Sequence, residues 1–475
     1  MNALIMRAGT FAVGIFLARI LAPEEFGVYA IALTVQAVLM TLADFGLSTD
    51  LIRSDDHLAK APTVATLGLF MGTTLFLFMM LTSQQTASLL GSPDAGPVIA
   101  VMSGSLILAG IGVVPYAKLQ REFQQKRLFH ISLVEFVIVN TLIIALVMAG
   151  WGVMALAVSR LIAQLCTLIL QFVFAGIKPK FGFDRALAPK VIAFGLPVAG
   201  ANMLSWMLLN VDNIVISRLT GPVALGFYYL AFNISNWPMS AIGQVVRSIA
   251  LPAFAREETR NLRIFAHALG LTWPITLLAG FMLSILAGPV IEVVYGTSWL
   301  AAAPMLAILG CFGAMRTIFD LSSSFLLARG YSGLTLLIQA AWLLTLVPLL
   351  VWGTSQRGAF GASSAHLVCA LFIVTPLFLW ALNRVGTPAR EVLEVLWPPL
   401  IAVVPAALAV LAIRATDLSA LPDLLISGLL GSTIYCACLF RWYRRRLRAG
   451  AQKGTNIFAS KTASVMPVSE KIRGE

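Results

Sequence analysis

Charged residues are scarce in this chain. Aspartate, glutamate, lysine and arginine make up 11% of its 475 residues, whereas a soluble domain carries about 25%. Hydrophobic residues account for 59%, and the mean hydropathy is +0.89. This composition excludes an ordinary soluble protein. It predicts an all-α polytopic membrane protein whose residues mostly face lipid or other apolar helices.

Motifs for metal, redox and nucleotide chemistry are also lacking. The five cysteines lie in apolar runs, and Cys436 and Cys438 are separated by one residue rather than by the two of a redox motif. The chain contains no Gly-x-x-x-x-Gly-Lys-Ser/Thr phosphate loop. No loop is long enough to form a soluble catalytic domain. We therefore expect no metal, no cofactor, no direct ATP hydrolysis and no enzymatic activity.

Long apolar runs dominate instead. A membrane-spanning helix needs about 20 mostly apolar residues, and the chain is predicted to contain fourteen such spans. They are 3–22, 27–50, 62–84, 96–118, 128–149, 151–176, 190–219, 224–247, 264–288, 299–327, 334–352, 359–383, 396–414 and 421–441. We expect span 1 to be a retained helix rather than a cleaved signal peptide, because Arg19 interrupts its apolar run.

Positive charge follows the predicted topology. With a cytoplasmic N-terminus, 26 of the 33 lysines and arginines fall in inner loops or in the C-terminal tail. Four fall on the outer side, namely Arg19, Arg218, Arg357 and Arg414. This asymmetry is typical of a multi-pass protein of the bacterial inner membrane with both termini in the cytoplasm. The net charge of +12 is thereby explained without nucleic-acid binding.

One 18-residue stretch occurs twice, at 15–32 and, 199 positions later, at 214–231. Six positions are identical and most of the others exchange one apolar residue for another. The identical pairs are Ile15/Ile214, Arg19/Arg218, Pro23/Pro222, Gly27/Gly226, Tyr29/Tyr228 and Ala32/Ala231. Each copy reads as the end of one span, a tight turn and the start of the next, which indicates an internal structural repeat.

The repeat predicts the domain organisation. Six spans separate the two copies, so both run in the same direction as parallel repeats. We expect a six-helix bundle at 1–177, a cytoplasmic linker at 178–190 and a second six-helix bundle at 191–383. Accessory helices 13 and 14 follow at 384–448, and a polar segment at 449–475 is predicted to be a disordered cytoplasmic tail.

Polar side chains form helical stripes in spans 6 and 8. The first stripe contains Arg160, Gln164, Thr167 and Gln171, and the second contains Asn233, Asn236, Ser240, Gln244 and Arg247. Their spacing places each set on one helix face. Two interpretations stay open. The stripes either hydrogen-bond neighbouring helices or line a water-filled lumen that binds a polar substrate.

Other charged residues also allow two interpretations. Arg19 and Arg218 are either interfacial anchors or attract an anionic substrate such as a phosphate. Asp212 has no acidic counterpart in the first copy. It either carries a proton or cation that is coupled to transport, or it is a buried acid whose carboxylate is paired with a neighbouring asparagine or arginine. Arg316 lies in span 10 four residues before Asp320, so the two either neutralise each other or leave Arg316 to the lumen.

Three more ionisable residues are assigned structural roles by the sequence. Asp44 is predicted to mark a helix end, because Gly46 follows it. Glu135 is placed near the membrane interface. His366 is interpreted as an ordinary core histidine.

Several segments together resemble a known family. They are A-R-I-L-A-P-E-E-F-G-V-Y-A at 18–30, L-A-D-F-G-L at 42–47, N-V-D-N-I-V-I-S-R-L-T-G-P-V-A-L-G-F-Y at 210–228 and L-P-A-F-A-R at 251–256. In this order and spacing the chain resembles the polysaccharide-unit flippases of the multidrug/oligosaccharidyl-lipid/polysaccharide exporter superfamily. The resemblance implies a MATE-like fold and transfer of a polyprenyl-pyrophosphate-linked oligosaccharide between leaflets. It also implies a cationic lumen, for which Arg19, Arg160, Arg218 and Arg316 are the candidates.

Alternative functions stay open at this stage. A MATE-type drug/cation antiporter would use acids such as Asp212 rather than arginines, a lipid II flippase would share the fold, and a membrane glycan polymerase would need a larger outer loop. The expected partners are the lipid-linked oligosaccharide and membrane lipids, with the polysaccharide polymerase and export machinery as further candidates. We expect a monomer.

Overall fold

The computed structural model describes the backbone of residues 2–256, 263–416 and 418–464. Side chains are described at residue 9 and within 12–240 and 265–446, apart from 201, 205 and 417. Throughout these residues the chain forms helices and turns and no strand. The α-helices are α1 (Asn2–Ile20), α2 (Pro23–Asp44), α3 (Leu47–Arg53), α4 (His57–Leu89), α5 (Ala95–Arg121), α6 (Gln125–Met148), α7 (Met154–Ala175), α8 (Ala188–Arg256), α9 (Arg263–Ile285), α10 (Ala287–Tyr295), α11 (Ala303–Ala328), α12 (Ser332–Cys369), α13 (Thr375–Arg384), α14 (Ala389–Arg414) and α15 (Ala420–Ser464).

Eleven helical stretches within the described residues are long and apolar enough to cross a membrane. Two of them, Trp206–Ser240 and Ser332–Arg384, each include a break in the helix and correspond to two predicted spans. Helix α1 corresponds to span 1, which brings the helices matching predicted spans to fourteen. The prediction of an all-α polytopic membrane protein is confirmed.

The two breaks fall at glycines. In α8, Gly221 has φ 81° and ψ 178° and precedes Pro222, which cannot donate a backbone hydrogen bond. In α12, Arg357 and Gly358 are non-helical. A Cβ at Gly358 would lie 3.6 Å from Cγ2 of Thr220, so the two breaks approach each other. Below, α8a and α8b denote residues 188–220 and 222–256, and α12a and α12b denote 332–356 and 359–369.

Predicted span 2, at 27–50, was wrong at its C-terminal end. Helix α2 stops at Asp44, since Phe45 and Gly46 both adopt the left-handed conformation, with φ of 43° and 70°, and the short helix α3 then begins. The prediction that Asp44 marks a helix end is confirmed. The start of span 10 at 299 also differs, because residues Thr297–Ala302 form a 3-10 turn that comes before α11.

The chain divides into two compact units. The first comprises Met1–Asn233, Val294–Met305 and Trp342–His366, and the second comprises Ile234–Val293, Leu306–Ala341 and Leu367–Glu475. The domain boundaries that the repeat suggested stay a prediction.

Within the first unit, α5 is the central helix and packs against α2, α4 and α7. Small residues allow the closest of these approaches. A Cβ at Gly68 of α4 would lie 2.7 Å from the carbonyl oxygen of Gly110 in α5, and one at Gly72 would collide with the carbonyl of Leu106. Close backbone contact through glycine is typical of helices that associate in a membrane.

The second unit has its own core. Phe265, Trp273 and Phe325 pack there with Val392 and Val395. Trp273 Nε1 also donates a hydrogen bond to the carbonyl oxygen of Leu396 at 3.1 Å. These contacts attach α14 to α9.

Helices α14 and α15 pack against each other and against α9. Tyr435 of α15 is buried and donates a hydrogen bond to the carbonyl of Pro274 at 3.0 Å. Arg414 and Asp423 form an ion pair at 3.4 Å across the connection between α14 and α15. Helix α15 extends to Ser464 and so enters the predicted polar tail, of whose side chains none is described; residues 465–475 lie outside the described part.

Candidate functional site

The two copies of the repeat meet each other within the first unit. A Cβ at Gly27 would collide with the carbonyl of Pro222, and one at Gly226 would collide with the carbonyl of Pro23. The contact is therefore reciprocal, and each identical glycine accommodates the turn of the other copy. Side chains larger than hydrogen do not fit at either position.

Trp299 holds the same region together. It is fully buried, and its Nε1 donates a hydrogen bond to the carbonyl of Ala18 at 2.6 Å. Its ring packs edge-to-face on Phe26 at 5.0 Å and on Phe227 at 5.9 Å between ring centroids. Those phenylalanines adjoin the two reciprocal glycines, so one indole contacts both copies of the repeat.

Arg19 and Arg218 share a place in the repeat but have different surroundings. Both side chains are exposed. Arg19 Nε donates a hydrogen bond to the carbonyl of Val294 at 3.1 Å. Arg218 borders an open cavity of about 420 Å³ beside the C-terminal end of α4, lined also by Gln84, Gln85, Ser88 and Leu89. Arg218 thus borders a cavity, whereas the contact given for Arg19 is with the backbone of Val294.

Arg160 is the exposed member of the polar face of α7. Its guanidinium carbon lies 5.9 Å from the centre of the Tyr29 ring. The charge of Arg160 also interacts with Glu135 of α6 and with Tyr229 of α8b. Glu135 is half-buried, whereas Arg160 as a whole residue is exposed. The arrangement presents a cation inside an apolar unit, with an aromatic face and one carboxylate beside it.

A polar cavity of about 200 Å³ lies beside this face of α7, at the C-terminal ends of α2 and α5. Gln164 and Gln171 of α7, Asp44 of α2 and Tyr116 of α5 contribute polar groups to it. Met40, Ser48, Ala109, Gly112 and Val113 complete its lining. Amides, a carboxylate and a tyrosine are suited to sugar hydroxyls, since they donate and accept hydrogen bonds. Asp44 therefore lines a cavity as well as ending a helix.

Asp212 belongs to a buried cluster in the first unit. Its Oδ2 accepts a hydrogen bond from the Tyr228 hydroxyl at 2.5 Å and lies 3.3 Å from Nε2 of His366. Its Oδ1 accepts a hydrogen bond from the backbone N–H of Asn213 at 2.9 Å. The Asn213 amide in turn donates to Oγ1 of Thr34 at 3.2 Å. This cluster joins α8a, α8b, α12b and α2.

The remaining predicted residues are placed separately. Asn233 is exposed and donates to the carbonyl of Tyr229 at 2.8 Å. In the second unit, Asn236 of α8b and Arg316 of α11 are half-buried. The side chain of Gln244 lies outside the described residues.

The sequence did not predict three residues that contact Arg160 or Asp212. Tyr29 and Tyr228 were recognised as identical positions of the repeat, but nothing in their spacing connected them to Arg160 or Asp212. His366 was interpreted as a core histidine, yet it lies against Asp212. The position of His366 within a predicted membrane span could have indicated a functional role, because ionisable residues there are rare, costly to bury and commonly functional.

Curated relatives of this chain act in surface polysaccharide synthesis, according to their names. Lipopolysaccharide biosynthesis protein WzxC of Escherichia coli (strain K12) is 24% identical over 402 residues, covering 81% of this chain and 79% of that protein. Succinoglycan biosynthesis transport protein ExoT of Rhizobium meliloti (strain 1021) is 26% identical over 465 residues, covering 94% and 93%.

Solved structures show the same fold. The lipid II flippase MurJ in an inward closed conformation superposes with a TM-score of 0.79 at 17% identity, covering 94% of this chain and 98% of that one. An inward-facing multidrug resistance MATE family transporter of the MOP superfamily gives a TM-score of 0.64 at 15% identity, covering 81% and 96%. Residues 16–304, more than half of the chain, match the family described as polysaccharide biosynthesis protein, and this chain therefore belongs to that family.

Proposed function

We propose that this protein is a flippase for a polyprenyl-pyrophosphate-linked oligosaccharide repeat unit. It moves the unit from the inner to the outer leaflet of the bacterial cytoplasmic membrane by alternating access, and it has both termini in the cytoplasm. The unit that reaches the outer leaflet is then used to build a surface polysaccharide, such as an exopolysaccharide, O-antigen or capsule. Family membership and the names of WzxC and ExoT support this assignment.

The observation that carries the proposal is the exposed residue Arg160, one helical turn from a polar cavity that Gln164 lines. A lipid-linked oligosaccharide has an apolar tail that stays in lipid, whereas its pyrophosphate and sugars need polar partners. Guanidinium binds phosphate oxygens through two parallel hydrogen bonds. Gln164 lies one helical turn from Arg160 and lines the 200 Å³ cavity, so a sugar there would adjoin a phosphate at Arg160.

The other candidate residues have subsidiary roles in this proposal. Arg218, beside its open cavity, attracts the anionic headgroup, and Arg19, Arg316, Asn233, Asn236 and Gln244 are further lumen contacts. Asp212 is the ion-coupling residue. Transport requires no covalent chemistry, so we propose no catalytic residue. The polymerase and export machinery would take over the transferred unit.

A MATE-type drug/cation antiporter is the second candidate, because Asp212 is an acid buried within a membrane unit. Both of its carboxylate oxygens already accept or adjoin donors, from Tyr228, His366 and the Asn213 backbone. A cationic drug would have to displace them, which disfavours this alternative. Sensitivity of a deletion strain to cationic drugs distinguishes it.

Deletion of the gene tests the flippase assignment. Without the protein we expect lipid-linked oligosaccharide to accumulate in the inner leaflet and surface polysaccharide to fall, and we expect the wild-type gene to restore both. An unchanged leaflet distribution in the deletion strain would contradict the assignment. If lipid II, rather than the oligosaccharide carrier, accumulated instead, the substrate would be the peptidoglycan precursor.

A further inference from the structure

Three titratable side chains from three helical segments meet in the interior of the first unit. Asp212, Tyr228 and His366 are 2%, 0% and 3% exposed. Tyr228 and His366 both approach the same carboxylate oxygen of Asp212, at 2.5 and 3.3 Å. The Phe232 ring lies against both Tyr228 and His366, at 5.9 and 6.3 Å between ring centroids. A carboxylate, an imidazole and a phenol are thus held together in an apolar environment.

The cluster changes its net charge when one proton binds. With His366 neutral and Asp212 ionised, the group carries one negative charge, which is costly to bury. With His366 protonated, its Nε2 lies 3.3 Å from the carboxylate and the two form an ion pair with no net charge. Histidine is the side chain whose ordinary titration lies in the physiological range. The hydrogen bonds from Tyr228 and from the Asn213 backbone stabilise the carboxylate in either state.

The cluster also lies close to both helix breaks. Asp212 and Tyr228 flank Gly221, and His366 follows Gly358, each by seven to nine residues, which is about 10–14 Å along a helix. Ion sites near interruptions of membrane helices are a recurrent feature of secondary transporters. A change of charge here alters the attraction among α8a, α8b and α12b, which are the segments next to these breaks.

The local chemistry favours a proton over a metal cation. Alkali and alkaline-earth cations prefer several oxygen ligands. At Asp212, however, N–H and O–H groups donate to the carboxylate oxygens, and the Asn213 amide donates to Thr34. Among the described residues, no group of three or more histidine, cysteine, aspartate and glutamate side chains could hold a metal ion.

We infer that Asp212, Tyr228 and His366 form the binding site of the proton that drives transport. Within the part of the chain whose side chains are described, these three titratable groups meet at one place, with the neutral Asn213 and Thr34 beside Asp212. Proton binding converts the net charge of the cluster from −1 to 0, and the proton is exchanged once per transport cycle. This inference rests on the proposed flippase function, since it assigns the coupling ion of that activity.

Transport in proteoliposomes tests the site. Full-length protein is reconstituted with the lipid-linked oligosaccharide extracted from the deletion strain, and periodate added outside measures how much of it reaches the outer leaflet. For one proton per substrate, a pH gradient of one unit changes the leaflet ratio by up to about tenfold. In His366→Gln and Asp212→Asn we expect a response of less than about twofold to the same gradient.

Asn213→Ala is the matched control, because it removes a buried polar side chain of the same cluster without removing a titratable group. It is expected to keep the response to the pH gradient even if the protein is less abundant. A wild-type protein driven by a sodium gradient and not by pH would overturn the inference, as would a wild-type response in His366→Gln. A wild-type protein that moves no oligosaccharide would instead contradict the flippase function.

A second measurement decides the inference independently of transport. Glutamine replaces the other three histidines, His57, His130 and His267, and the ¹⁵N-histidine-labelled full-length protein is titrated by NMR. We expect the imidazole of His366 to gain and lose a proton as the pH is changed, and Asp212→Asn to alter that pH dependence. An imidazole that stays in one protonation state at every pH at which the protein transports would overturn the proposal.

Discussion

Tyr29 and Tyr228 occupy the same position in the two copies of the repeat, yet they contact opposite charges. Tyr29 presents its ring 5.9 Å from the guanidinium of Arg160, which is exposed. Tyr228 donates a hydrogen bond to Asp212, which is buried. The first copy therefore adjoins an accessible cation and the second a hidden anion.

The difference shows which properties the repeat provides. Identical residues provide the turn, the close backbone contact and an aromatic side chain at one depth. The charges come from elsewhere: Arg160 and Glu135 belong to α7 and α6, His366 belongs to α12b, and Asp212 stands where the first copy has Val13. The repeat thus supplies two similar frames, and in our proposals their neighbours give one frame to the substrate and the other to the proton.

The shared frame can be broken at its reciprocal glycines, where we expect the largest effect. Gly27→Leu and Gly226→Leu each place a side chain against a backbone carbonyl of the other copy, which cannot move aside as a flexible side chain could. We expect each to cost about 3 kcal/mol or more by overpacking, and the amount of folded protein in the membrane and its melting temperature to fall. Gly14→Leu in α1, with nothing within 4 Å, is the control. A tolerated change at only one of the two glycines would contradict the reciprocal contact.

Much of the fold could be predicted because a bilayer imposes a simple requirement. Each span needs about 20 apolar residues and inner loops collect positive charge, so the fourteen spans were predictable from apolar runs and charge placement. The repeat was predictable from identical residues 199 positions apart. Span 2 extended too far because Phe45 is apolar and continues the hydropathy pattern, while its left-handed backbone ends the helix. Hydropathy indicates which residues are buried in lipid, but it contains no information on backbone dihedral angles.

The site was less predictable, for a different reason. Arg160 and Gln164 were identified because a stripe on one helix is visible in local spacing. Glu135 was predicted to lie near the membrane interface and His366 to be an ordinary core residue. Their partners lie on other helices, and no local sequence pattern indicates a contact between distant helices. Asp212 was identified only because the repeat offered a comparison with Val13.

Substitutions of Arg160 test the cation that lies beside Tyr29. We expect Arg160→Ala to reduce export by about tenfold to a hundredfold, the effect of losing charge-assisted hydrogen bonds to a phosphate, while the protein still inserts in the membrane. Arg160→Lys keeps the charge and loses the paired geometry, so it should lie between the two. The measurement is surface polysaccharide relative to protein amount. Wild-type export in Arg160→Ala would refute a pyrophosphate contact.

The two tyrosines sharpen the comparison most directly. Tyr228→Phe removes the hydroxyl that donates to a buried carboxylate, which we expect to destabilise the protein by about 1.5–3 kcal/mol. Tyr29→Phe keeps the ring and removes a hydroxyl that interacts with Arg160, an exposed residue. Because water can replace that interaction, we expect a change of less than about 1 kcal/mol. Thermal melting of the two purified variants, side by side, measures the difference. Equal losses of stability would mean that the two tyrosine hydroxyls contribute equally. The difference between a nearby cation and a nearby anion would then have no effect on stability.

The smallest expected effect concerns the cavity on the Arg160 side. A Cβ at Gly112 would lie 2.9 Å from Oε1 of Gln171 and 3.3 Å from Cδ1 of Leu168. Gly112→Ala therefore displaces one amide that lines the cavity. We expect the substrate to lose about one hydrogen bond to that amide, worth about 1 kcal/mol, which is roughly a fivefold loss of affinity for the oligosaccharide. Gly200→Ala, with open space around it, should leave export unchanged. Because the cavity lies beside Arg160 and the proton cluster lies elsewhere in the unit, Gly112→Ala should weaken substrate binding without altering the response to a pH gradient. A change in that response would mean that the two frames do not divide substrate and proton between them.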